Sequence, residues 1–209
     1  MNHFSKHPVI TPRTALLVAA LTMLGAAPAH ALVVLDTFGP ADTAPGLTWS
    51  LYNPDPAAGG QSLAVPFNLV GAVTVDSILT SIDGTGVFSL RIVADAAGLP
   101  TGSVLFSTAL SNPTANTLAS GLGWSLAAGN YWLAAEATAG SNGGWKGGDQ
   151  VGTQNWAFTF DAVNTAWNGT GPNDAPAARI NVTAVPEPGT WALMLGGVAL
   201  LAWQLRRRA

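Results

Sequence analysis

Val87-Phe-Ser-Leu-Arg-Ile-Val-Ala94 is the stretch that decides the fold. Phe88, Leu90, Ile92 and Ala94 fall on one side of an extended chain, and Ser89 and Arg91 on the other. A period of two with one apolar side marks a strand of an antiparallel sheet with one wetted face. Moving outward, Val104, Phe106 and Leu110 alternate with Ser103 and Ser107, and Trp156, Phe158 and Phe160 with Asn155 and Thr159. Ile180 and Val182 alternate with Arg179, Asn181 and Thr183. Further strands are expected over 32–38, 47–52, 62–69, 72–82, 122–126 and 130–137. Turn signals separate them: Asn53-Pro-Asp-Pro56, Gly59-Gly60, Asp83-Gly84, Gly98-Leu-Pro100, Asn112-Pro113, Gly129-Asn130 and Gly143-Gly144. The glycine-rich stretch 138–153 reads as a surface loop, and no segment of 32–184 has helical periodicity. About ten short strands without an internal repeat predict an all-β domain. The expected form is a two-sheet antiparallel sandwich, jelly-roll-like, rather than a propeller or solenoid.

Composition narrows the chemistry. Charged residues make up 9% of the 209, against about 25% in ordinary soluble domains. There is no cysteine, so packing rather than disulfides must hold the domain. Lys6 and Arg13 lie near the start and Arg206, Arg207 and Arg208 at the end. Only Arg91, Lys146 and Arg179 stand against eleven acids between residues 36 and 187, which leaves that middle at −8. Such a surface repels phosphate backbones and argues against nucleic acid as a partner. The three histidines are His3, His7 and His30. A chain that loses its leader therefore has no Ser-His-Asp triad, no Cys-His pair and no ordinary zinc site.

The two ends carry addresses. Lys6 and Arg13 precede the apolar run Ala15–Ala27, and Ala29-His30-Ala31 is a small-x-small cleavage site. This is the pattern of a secretory signal peptide, residues 1–31, cut after Ala31. An uncleaved anchor would need a longer helix. At the other end, Val185-Pro-Glu-Pro188 precedes a membrane helix expected over 190–205 and a basic end at 206–208. From Trp191 to Leu205 a helix covers about 22 Å, a minimal span of a bilayer core about 30 Å thick. Trp191 and Trp203 suit the two interfaces, and Arg206, Arg207 and Arg208 place the terminus on the cytoplasmic side. Pro186 and Pro188 separate this tail, 185–209, from the domain 32–184.

The order of Val185-Pro186-Glu187-Pro188, apolar helix and arginine cluster resembles the PEP-CTERM sorting signal, a tail also labelled ice-binding protein C-terminal domain. The resemblance implies export, recognition of Pro186, Glu187 and Pro188 by a membrane-embedded exosortase, and an association with exopolysaccharide and biofilm. Gln61–Phe67, Asp95–Pro100 and Ala127–Leu133 resemble the choice-of-anchor R type of extracellular domain, which implies a β-sandwich and no established activity.

Within the domain, Trp145 in Gly143-Gly-Trp-Lys-Gly-Gly148 and Trp167 before Asn168-Gly169 are candidates for stacking on sugar faces. The competing reading, rings covering the ends of the core, outweighs it. Trp156 is expected in the core, and Trp132 shares a strand face with Glu136. Asp83, Asp95, Glu136, Asp149, Asp161 and Asp174 supply enough acids for a glycosidase pair, but nothing in the spacing brings two together. Asp83-Gly-Thr-Gly86 and Asn173-Asp174 offer hard oxygen ligands of the sort calcium takes, without a twelve-residue binding loop. No catalytic residue, cofactor or metal site is assigned. The expectation is an exported, non-enzymatic envelope or matrix protein. Its precursor is held in the inner membrane, and its partners are the export machinery, an exosortase, the bilayer and exopolysaccharide. The alternatives are a carboxylate-based glycoside hydrolase or lyase, and a self-associating structural protein.

Overall fold

The computed structural model describes residues 31–55, 59–148, 154–160, 166–172, 174–185 and 188–207. Its strands are β1 (Ala31–Asp36), β2 (Thr48–Asp55), β3 (Gly59–Leu69), β4 (Val73–Thr80), β5 (Ile82–Thr85), β6 (Val87–Ala94) and β7 (Val104–Ser111). They continue with β8 (Thr117–Leu126), β9 (Gly129–Ala137), β10 (Ser141–Lys146), β11 (Ala157–Thr159), β12 (Asn168–Gly169) and β13 (Ala178–Ala184), and helix α1 spans Pro188–Arg207. One sheet runs β1-β13-β4-β8. The other has nine strands in the order β5-β10-β2-β3-β9-β6-β7, with β11 against β3 and β12 against β11. Every strand pairing among the described residues is antiparallel.

The alternation read from the sequence is what builds this. Phe88, Leu90 and Ile92 of β6 are fully buried, while Ser89 and Arg91 are half-buried on the opposite face. Leu63, Val65, Phe67 and Leu69 of β3 and Val73, Val75 and Ile78 of β4 point into the same core, which both sheets share. A smaller second core lies on the other side of β3, β6 and β9, where Ala64, Val93, Trp132, Ala134, Ala157 and Trp167 pack together with Leu99.

Two expectations are corrected. The segment 138–153 does not form one surface loop: Ser141–Lys146 is strand β10, hydrogen-bonded on both sides between β5 and β2. Its glycines are there for close approach. A Cβ on Gly143 would overlap the Asp83 carbonyl oxygen and stand 2.9 Å from the Gly84 Cα and 3.0 Å from Cζ of Phe88. The Phe88 ring thus fills the space that two facing glycines leave empty. Secondly, 72–82 is two strands in different sheets, β4 and β5, divided at Ser81, whose buried hydroxyl donates to the Lys146 carbonyl at 2.8 Å. Asp83-Gly84, expected as a turn, accordingly lies inside β5. The segment 190–205 lies within a longer helix, α1, and no helix among the described residues is long and apolar enough to cross a membrane. Gly196-Gly197 and Gln204 dilute its apolar run.

Candidate functional site

The sorting tail comes first. Leu195, Leu200, Leu201, Trp203 and Leu205 of α1 are exposed. The Arg207 guanidinium lies 3.8 Å from the centroid of the Trp203 ring, one helical turn back. That cation–π pair puts a cation and an amphipathic ring side by side at the end of the helix, as an interface between apolar and polar phases requires. Arg206 is exposed beside it. Pro186, Glu187, Arg208 and Ala29, the last expected at a signal cleavage site, lie outside the described residues, as do Asp149, Asp161 and Asn173. Pro188 begins α1, Val185 donates its N–H to the Ala72 carbonyl at 3.0 Å, and Ala31 opens β1 opposite Thr183.

The two tryptophans proposed for sugar stacking are placed elsewhere. Trp145 is 0% exposed, and its indole N–H donates to the Ala177 carbonyl at 2.8 Å. Trp167 is 7% exposed in the second core. A ring with no free face cannot stack on a ligand, so both are corrected to core residues. Flanking glycines suggested loops; in the structure those at 143 and 144 are strand residues.

The candidate acids are engaged or apart. Trp132 donates its indole N–H to Asp95 Oδ1 at 2.7 Å, and the Gly98 N–H donates to Asp95 Oδ2 at 3.2 Å. Asp95 therefore fastens its own loop over the second core. Glu136, 7% exposed on the same face of β9 as Trp132, pairs with Arg91 at 2.6 Å. Burial pushes its carboxyl above the ordinary range, and the charge and hydrogen bond of Arg91 pull partly the other way. Asp83 is exposed on β5. The Asp174 carbonyl accepts the Trp49 indole N–H at 2.9 Å. Among the described residues no three His, Cys, Asp or Glu side chains converge on a metal position.

A cleft does form, at a place the spacing did not disclose. Beyond Gln61 strand β2 stops pairing with β3, and β11 covers only Ser62–Ala64. Among the described residues no strand pairs with that side of β3 from Val65 to Leu69, which is where Pro66, with no N–H to offer, is tolerated. The opening is a cleft of about 640 Å³. Its lining includes Pro66, Phe67 and Asn68, then Asp95 and Gly98, then Asn130–Trp132, so the three short segments Gln61–Phe67, Asp95–Pro100 and Ala127–Leu133 meet here. Gln154, Asn155, Trp156 and Thr170 form another wall. The Asn68 amide donates to Asn130 Oδ1 at 2.7 Å and the Gln154 amide to the Pro66 carbonyl at 3.0 Å. Trp156 is 3% exposed and packed against Trp49 with ring centroids 4.5 Å apart. The Thr170 hydroxyl holds its backbone N–H and C=O, yet among the described residues its indole N–H has no hydrogen-bond partner. A buried unsatisfied donor costs about 1–3 kcal/mol. The amides were missed as a group because Asn68, Asn130 and the Gln154-Asn155 pair sit on three segments far apart in the chain.

Residues 184–208 match the family described as the PEP-CTERM protein-sorting motif. No curated protein matches the chain. The chain thus ends in a PEP-CTERM sorting motif, which supports an exported protein sorted by an exosortase from a membrane-anchored precursor.

Proposed function

We propose that this protein is a non-enzymatic component of the cell envelope or extracellular matrix. Signal peptide 1–31 exports it, the tail 185–209 delivers it to an exosortase while seated in the bilayer, and the β-domain contacts exopolysaccharide. The observation that carries this reading is the matched motif at 184–208, which takes in the exposed leucines and the two arginines in the last turn of α1. Held at the membrane, those leucines leave water, and about 25 cal/mol per Å² of apolar surface favours insertion. The engagement of Asp95 by Trp132 and Gly98, and of Glu136 by Arg91, supports a binding role over hydrolysis by a carboxylate pair.

The test is intact-mass analysis of the native protein with cell fractionation, beside a Glu187→Ala variant. The expected native species starts at Leu32, lacks the Arg206–Arg208 end and lies outside the cytoplasm. The variant should keep the tail and stay with the inner membrane. A native chain retaining both Met1 and Ala209 in the cytosol would overturn the proposal. The self-associating alternative has one observation of its own: β7, at a sheet edge, has no charged residue from Val104 to Ser111, and unguarded edges invite strand addition. Sedimentation that depends on protein concentration, without ligand, would favour it.

A further inference from the structure

We infer that the cleft between β1, β3 and the 154–156 segment is a binding site for a neutral, hydroxyl-rich glycan segment. This assignment rests on the reading of the domain as an exopolysaccharide-contacting envelope protein, and supplies the place and the chemistry of the contact.

The lining is rich in neutral groups that can both donate and accept. Asn68, Asn130 and Asn155 are exposed and Gln154 is half-buried, four amides around one opening. A sugar hydroxyl also donates and accepts, so amides can meet it in either sense. Each amide bond already made leaves capacity: with their N–H groups given to Asn130 Oδ1 and the Pro66 carbonyl, Asn68 and Gln154 keep their side-chain oxygens as acceptors. Charge selects against anionic ligands. No lysine or arginine lines the cleft, and its two carboxylates, Asp36 and Asp95, repel anions. Asp36 is tied to Arg179 at 2.8 Å, and Asp95 is committed to Trp132.

The second observation is the indole of Trp156. Trp49, Trp132 and Trp145 each donate to an oxygen of the protein, at 2.9, 2.7 and 2.8 Å. Trp156, which lines the cleft, has no such partner among the described residues. The nitrogen is covered, so a ligand oxygen reaches it only if the ring turns outward as the ligand enters. Binding would then satisfy a donor the folded protein leaves unmet. An extended peptide fits less well: the pairing of β1 with β13 shifts register between Val33 and Leu35, and that bulge interrupts the regular edge strand addition needs. The volume of about 640 Å³ suits a short oligosaccharide rather than a single small ion.

The probes are cellotetraose, maltotetraose and mannotetraose, with tetragalacturonate as the anionic counterpart and an uncharged Gly-Ser-Asn peptide as the other polymer class. Each is titrated against the full-length chain in a detergent without a sugar headgroup, read by calorimetry and tryptophan fluorescence. At least one neutral tetrasaccharide should bind and shift the fluorescence, and the uronate and peptide should not. Gln154→Ala and Trp156→Phe should each weaken binding about five- to tenfold, the scale of one hydrogen bond. Asn142→Ala, an exposed amide outside the cleft, should leave it unchanged. Neutral binding that ignores both cleft variants would overturn the site while leaving glycan contact intact. Preference for the uronate or the peptide would overturn the ligand class. If no tetrasaccharide binds, the site falls; co-sedimentation with the host's matrix polysaccharide then reports whether the broader reading falls with it.

Discussion

Replacing Trp145 by alanine separates a core tryptophan from a surface one. The ring is fully buried and sits in β10 between two partner strands. An aromatic side chain buries roughly 150–250 Å², which at about 25 cal/mol per Å² is about 4–6 kcal/mol. Alanine keeps only a small share of that. The lost N–H bond to Ala177 adds about 1 kcal/mol and no more, because the same carbonyl still accepts from the Ser81 N–H at 3.2 Å. Large-to-small changes of this type cost about 3–5 kcal/mol, so a loss near 4 kcal/mol is expected. For a domain of this size each kcal/mol moves the melting temperature by about 2–4 °C, giving a fall of roughly 8–16 °C. Circular dichroism during heating reads it, and Trp145→Phe, which keeps a ring, should recover most of the loss. A shift below about 2 °C for Trp145→Ala would refute the packing argument.

Two further predictions test other parts of the fold. Burial holds the Glu136 carboxyl above its ordinary pKa of 4.5, so the folded state keeps that proton longer than the unfolded chain does. The stability this contributes is complete below about pH 4.5 and is lost as pH rises through the elevated folded value. Relative to Glu136→Gln, the wild type should therefore lose stability from pH 4.5 towards 7, measured by urea unfolding at several pH values; a constant difference would contradict the sign. Gly143→Ala should destabilise by about 1–3 kcal/mol because its methyl meets backbone atoms of β5. Gly71→Ala, with nothing within 4 Å, should be close to neutral in the same thermal assay.

Strand β6 was legible from the sequence to the residue, since its apolar period is uninterrupted. Strand β10 was not: Ser-Asn-Gly-Gly-Trp-Lys has no alternation, and glycine pairs ordinarily mark turns. What makes it a strand is a cavity of the right depth, with Phe88 filling the place of two missing side chains. The sorting tail was legible because it is read as a linear string, by order and charge. The cleft was invisible because its walls come from β1, β3, β9 and the segments around Gln154 and Gly169, far apart in the chain.

By itself the sequence determined the all-β class, the poverty of charge, the absence of histidine beyond residue 30 and the sorting tail. Each is a local or additive property, set by the period of the side chains or by their number. The tertiary structure alone decided which tryptophans are core, which acids are engaged, and which segments meet around the cleft beside β3. Those depend on which distant segments share a hydrogen-bonded edge, and register across a sheet is a property of the pair of strands, carried by neither one.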